Sequence, residues 1–227
     1  MSFYLALQEA TREEREAMLS IPFLQAGAAG AISRGSYIAF LTEAYHHVKH
    51  TVPLLMACGA RLPERLEWLR SAVGEYIEEE LGHQEWILND IRNAGGDAEA
   101  VRGGRPALAA ELMVSYAYDT IQRGNPVGFF GMVQVLEGTS IALATRAAES
   151  LQRTLHLPKS AFSYLLSHGD LDIGHVEFFK GLMNRIDDPN DQASIVHTAR
   201  VMYRLYGDVF RGLPLELVEE DAHATAI

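Results

Sequence analysis

Three stretches of this sequence carry side chains suited to holding a redox metal, and the most specific is His168-Gly-Asp-Leu-Asp172-Ile-Gly-His175. At about 100° per residue, helical steps of four and seven bring His168, Asp172 and His175 into one narrow arc. Imidazole and carboxylate together suit iron or manganese in oxygen chemistry, whereas structural zinc more often recruits thiolate. The chain has one cysteine, Cys58. The second stretch, Glu78-Glu79-Glu80-Leu-Gly-His83, offers Glu80 three residues or Glu79 four residues before His83. Either spacing meets on one helix face. The third is Glu137, a single acid inside the apolar run from Phe129 to Leu143. An unpaired carboxylate in a buried helix is costly or takes up a proton, so it calls for a cation, a donor network or a function. One Glu-x2-His, one isolated Glu and one histidine-acid helix follow the carboxylate logic of di-iron helix bundles, although the pattern differs from paired Glu-x2-His motifs.

Each stretch also has a plainer reading. Glu78 to Glu80 reads as a solvated acidic face. His168 and His175 read as a core histidine and a helix cap, with Asp172 paired to a basic residue, and Asp170 reads as an N-cap that would break a helix at Gly169-Asp170. Glu137 reads as a hydrogen-bond partner of a Tyr or Trp. The strongest competitor for chemistry is Glu43-Ala-Tyr45-His46-His47-Val-Lys49-His50, where His46 and His50 are four apart and Glu43 and His50 seven apart. Tyr45, Tyr76, Tyr116 and Tyr118 are candidates to line a pocket, and each is equally an aromatic core residue.

The elements that must position these residues are helical nearly throughout, since no alternating strand pattern of more than four residues stands out. The expected fold class is all-α, a bundle of about seven helices. After a short polar-faced helix at Glu13 to Met18, the cap candidates Ser33 and Ser36 open a helix to about Cys58, kinked at Pro53. A long helix spans Glu64 to Asn93, a third Pro106 to Gln122, and a fourth Pro126 to Leu155. Pro158 to His168, Asp170 to Ile186 and Pro189 to Arg211 complete the bundle, with a loose acidic tail from about residue 216.

The 227 residues and 48% hydrophobic content suffice for one domain, 1–227, with a core large enough to bury a polar site. A net charge of −11 and a pI near 5.2 disfavour nonspecific binding to nucleic acid or anionic membrane. No apolar run approaches the roughly 20 residues that span a bilayer. A lone cysteine and a start without signal-peptide character point to the cytoplasm.

In the order Glu80-x2-His83, Glu137, His168-x3-Asp172-x2-His175, the chain resembles the haem-oxygenase-like di-iron oxidases and oxygenases over roughly Tyr37 to Tyr206. The resemblance implies a haem-oxygenase-like bundle, two ferrous ions per chain and O2 as co-substrate. It assigns Glu80 and His83 to one iron, Glu137 as a bridging carboxylate, and His168, Asp172 and His175 to the last ligand helix. Some members keep the first acid seven residues before the histidine, where this chain has Tyr76, so Glu80 is preferred and Glu79 is the fallback. The same resemblance puts His47, His50 and Tyr76 at the pocket wall or behind the ligands, and implies a homodimer that draws on an external reductant. The expected substrate is a small fatty-acyl or amino-acid-derived molecule. Alternatives within the fold are a metal-free enzyme, either thiaminase-II-like or a cofactor-biosynthesis oxidase, a noncatalytic interaction protein, and haem binding by a histidine of the first long helix. A thiaminase-like site needs a nucleophilic cysteine, and Cys58 lies on the wrong helix for that role.

Overall fold

The computed structural model describes residues 1–218, with the side chains of residues 141, 142 and 168–175 and the whole of residues 219–227 outside the described part. The described chain is all-α, with no strand beyond an isolated bridge between Ile32 and Leu217. Its helices are α1 (Phe3–Ala10), α2 (Arg12–Leu19), α3 (Pro22–Ala29), α4 (Arg34–Val48), α5 (Thr51–Arg61), α6 (Glu67–Glu80), α7 (His83–Asn93), α8 (Ala98–Gly103), α9 (Leu108–Arg123), α10 (Phe130–Leu155), α11 (Ser163–Arg185) and α12 (Pro189–Gly212). Twelve helices stand where about seven were expected, because two long segments are each broken and the short helices α1, α3 and α8 were not foreseen. The first breaks at Lys49-His50, before Pro53. The second breaks at Leu81-Gly82, where Gly82 adopts φ 91°, a conformation that glycine enters without the steric cost other residues bear. In the opposite sense, Pro158–His168 and Asp170–Ile186 do not separate at Gly169: one helix runs from Ser163 to Arg185, so Asp170 is not an N-cap.

Helix α10 is central and packs on α3, α11 and α12; its first half, taken with the turn at Pro126–Phe129 that leads into it, runs 40° from its second, Leu143–Leu155. Helix α12 shows why the packing holds. Ile195, Ala199, Met202, Tyr206, Val209 and Phe210 recur at helical spacing and are all buried, each contributing about 1.5–3 kcal/mol for a large side chain. Its start is fixed by Asp188, which accepts from the Asn190 and Asp191 amides at 2.8 and 3.3 Å, with Pro189 at the first helical position. Gly131 lets α12 come close, since a Cβ there would lie 2.5 Å from the Ile195 carbonyl oxygen. The segment at 214–218 is tied down: Ser33 N donates to the Glu216 carbonyl at 2.7 Å and Val218 N to that of Ala31 at 2.9 Å. The first three residues of the expected tail are therefore held against the start of α4, and the remainder lies outside the described residues.

Candidate metal centre

Glu80 and His83 meet across the α6–α7 break rather than along one helix face. Glu80 ends α6, Leu81 is extended, Gly82 turns the chain and His83 opens α7. This sets Glu80 Oε2 3.0 Å from His83 Nδ1. The imidazole is 2% exposed and stacks on Trp86 at 4.1 Å between ring centroids. Of the acid run, Glu78 and Glu79 are exposed, whereas Glu80 turns inward with its side chain 17% exposed.

Glu80 faces a cavity of about 70 Å3 whose walls come from α4, α5, α6, α10, α11 and α12. Glu137 lines the same space from α10, with Tyr76 of α6 beside it. Most of the remaining wall is apolar, including Phe129, Met132 and Leu136. Tyr76 is 2% exposed. Its phenol is held well above its ordinary pKa, first by burial, then by the neighbouring Glu137 carboxylate, then by the charges of Glu79 and Glu80. Glu137 and Tyr76 thus share the wall of a cavity that Glu80 also lines. His47 lines the cavity from α4; its Nδ1–H donates to the Glu43 carbonyl at 3.0 Å, which leaves Nε2 as the acceptor nitrogen.

His168, Asp172 and His175 have side chains outside the described residues, so their positions carry no geometry here. Their helix is placed by its neighbours. α11 packs on α10, which carries Glu137, and on α7, which carries His83. Its first turn is capped by Asp90 of α7, fully buried, which accepts from Ser163 N at 3.0 Å, Ser163 Oγ at 2.5 Å and Tyr164 N at 2.8 Å. Tyr164 lines the cavity, and Phe178 packs on Tyr76 with centroids 5.4 Å apart.

The competing histidine cluster separates into structural roles. The Glu43 carboxylate accepts from Ala107 N at 3.1 and 3.2 Å, fastening α4 to the start of α9. His50 is absent from the cavity wall; its Nδ1 lies 3.2 Å from the Tyr118 hydroxyl on α9. His46 is 2% exposed, with Lys49 Nζ 3.3 Å from its Nδ1. Burial, then the charges of Lys49 and His50, lower its pKa to about 4. Tyr45 and Tyr116 join the hydrophobic core. Tyr164, Tyr206 and Ser140 on the cavity wall were not foreseen from the sequence; the place of Tyr164 four residues before His168 is a signal that could have found it, whereas spacing gave no hint of the other two.

Iron would find suitable donors here: the Glu80 and Glu137 carboxylates line one largely apolar cavity, and the His83 imidazole, itself absent from the cavity wall, lies against Glu80, with no thiolate. The Cys58 thiol is buried, its Sγ 3.4 Å from the Pro126 carbonyl and its pKa pushed up to about 12 by burial. That thiol is no poised nucleophile either. Among the described residues no three metal-binding side chains converge closely enough to hold an ion.

Known structures share this architecture. A domain of unknown function with a haem-oxygenase-like fold from Shewanella denitrificans superposes with TM-score 0.81 at 23% identity, over 92% of this chain and 90% of that one. Haem oxygenase from Leptospira interrogans gives 0.75 at 17% identity, over 94% and 100%. A TenA homologue from Pseudomonas syringae gives 0.76 at 11%, over 92% and 91%. At such identities these likenesses show the fold alone. Comparison with curated proteins finds no match. The family described as iron-containing redox enzyme matches residues 38–207, which include the cavity wall from α4 to α12 and every candidate ligand, and the chain belongs to that family.

Proposed function

We propose that this chain is a non-haem di-iron oxidase or oxygenase that uses O2 to oxidise a small organic substrate. The observation that carries the reading is the convergence of Glu80 and Glu137, from separate helices, on one cavity, with His83 in contact with Glu80. Helical periodicity adds the third ligand set: counting from Tyr164, which lines the cavity, positions 168, 172 and 175 fall within about 80° of the same stripe. Glu80, His83, Glu137, His168, Asp172 and His175 would hold the two ions between them, with Glu137 the carboxylate that the second ion would depend on.

Bound ferrous iron would supply the electrons that activate O2. The protein's own part is to hold the donors, keep the surroundings apolar and admit substrate. Tyr76 stays protonated and can donate to Glu137, orienting that carboxylate. His47, its ring held through Nδ1 by the Glu43 carbonyl, lines the same cavity. Asp90 holds the ligand helix against α7.

The reading is tested by His168→Ala, Asp172→Ala and His175→Ala. Each is expected to lower the iron bound after anaerobic ferrous loading while leaving the helical circular dichroism intact. Full iron content in all three variants would remove the ligand assignment.

A further inference from the structure

A second cavity, also about 70 Å3, lies between α3, α4, α10, α11 and α12 and shares Ser140, Tyr164 and Tyr206 with the first. The two spaces follow the two halves of α10, which, with the leading turn counted in the first, diverge by 40° close to Ser140. From Ser140 to Leu151, the last residue of α10 on the second wall, the helix advances about 16 Å. We propose that this annex is the tail subsite of the enzyme: it takes the uncharged apolar tail of a substrate whose polar head lies in the cavity of Glu80 and Glu137. The position of the head rests on the proposed iron site; the tail subsite does not.

Three features favour a tail. No charged residue lines the annex among the described residues. Two of its hydroxyls are already committed within the protein, Thr139 Oγ1 to the Val135 carbonyl at 2.6 Å and Tyr37 to the Ala161 carbonyl at 2.7 Å. The walls therefore hold no counter-charge for a charged group, which would lose most of its hydration on entry. Second, the space is created by small residues facing one another, Gly27 and Ala28 of α3 opposite Ala144 and Ala147 of α10. An alkyl-lined void costs stability unless something fills it. Third, the annex adjoins the cavity that holds the acids, with Ser140, Tyr164 and Tyr206 on the wall of both, so a molecule reaching from one to the other would present a single end to the acids.

Of the two substrate classes open from sequence, this favours the one with a hydrocarbon tail. A tail ending in an ammonium group, as in many amino-acid-derived molecules, would bury that charge unpaired.

The test is calorimetric binding, under nitrogen, of straight-chain alkyl carboxylates of increasing length to metal-free and ferrous-loaded protein, with ω-amino carboxylates of matched length as the charged-tail series. Affinity is expected to rise about fourfold with each methylene until the annex is full and then to stop rising. The ω-amino series should gain nothing with length. Ala147→Phe and Gly27→Leu, on opposite walls, should move the plateau to shorter chains with iron content unchanged; a Cβ at Gly27 meets only Ile32 Cδ1 at 3.9 Å, so at least one filling variant should fold normally. Affinity independent of length, equal gains in the ω-amino series, or an unmoved plateau in a folded variant would overturn the tail subsite. Iron content counted in the same samples judges the metal reading separately: loss of iron with the length dependence intact leaves the tail subsite standing.

Discussion

At the scale of single residues, burial decides what each candidate can do. Glu80 was separable from Glu79 only by which of them the helix end turns inward, and that depends on the break after it. Glu137 was legible because one acid in an apolar run needs a reason, and the structure supplies Tyr76 and the cavity. The histidines of α4 were not separable by spacing: the helix buries both His46 and His47, but only His47 lines the cavity. His46 carries a pH prediction. Its pKa falls from the ordinary 6.5 to about 4 on folding, so the unfolded chain takes up the proton first as pH drops. Stability from this group is complete above pH 6.5 and is lost as pH falls towards 4, by about 2–3 kcal/mol in all. Urea denaturation across that window should show the loss, and His46→Gln, which does not titrate there, should flatten it.

At the scale of elements, capping and breaks place the donors. Ser33 was readable as a cap residue, and the helix over Pro189–Gly212 matches its expected bounds within one residue. The Leu81-Gly82 break was less legible, because an isolated glycine in a helical pattern often stays helical. Gly82→Ala is expected to destabilise by about 1–2 kcal/mol, the cost of a Cβ at positive φ, and to weaken iron binding by disturbing the approach of Glu80 to His83. Thermal melts and iron counts read the two effects. The Asp90 cap was invisible in sequence, since its partners are 73 and 74 residues away. Asp90→Ala leaves the first amides of α11 without their acceptor, at a cost of about 2–3 kcal/mol, and should lower iron content. Asp90→Asn keeps one acceptor oxygen and should recover part of both. Unchanged melting in Asp90→Ala would refute the anchoring role.

At the scale of the molecule, helical periodicity was enough for the all-α class, and the order of acids and histidines was enough for the family. The paired cavities were not legible. Their walls bring together residues from α3 to α12, and only tertiary packing reveals that the small residues of α3 face those of α10. No single helix among the described residues is long and apolar enough to cross a membrane. The arrangement around Glu137 makes the nuclearity of the centre the most exposed part of the account. Ferrous iron should be titrated anaerobically into wild type and Glu137→Gln and the bound metal counted, with circular dichroism confirming equal helicity. The expected result is about two ions per chain in wild type and about one in the variant, as a bridging carboxylate requires; no iron in wild type, or the same count in both proteins, would contradict it.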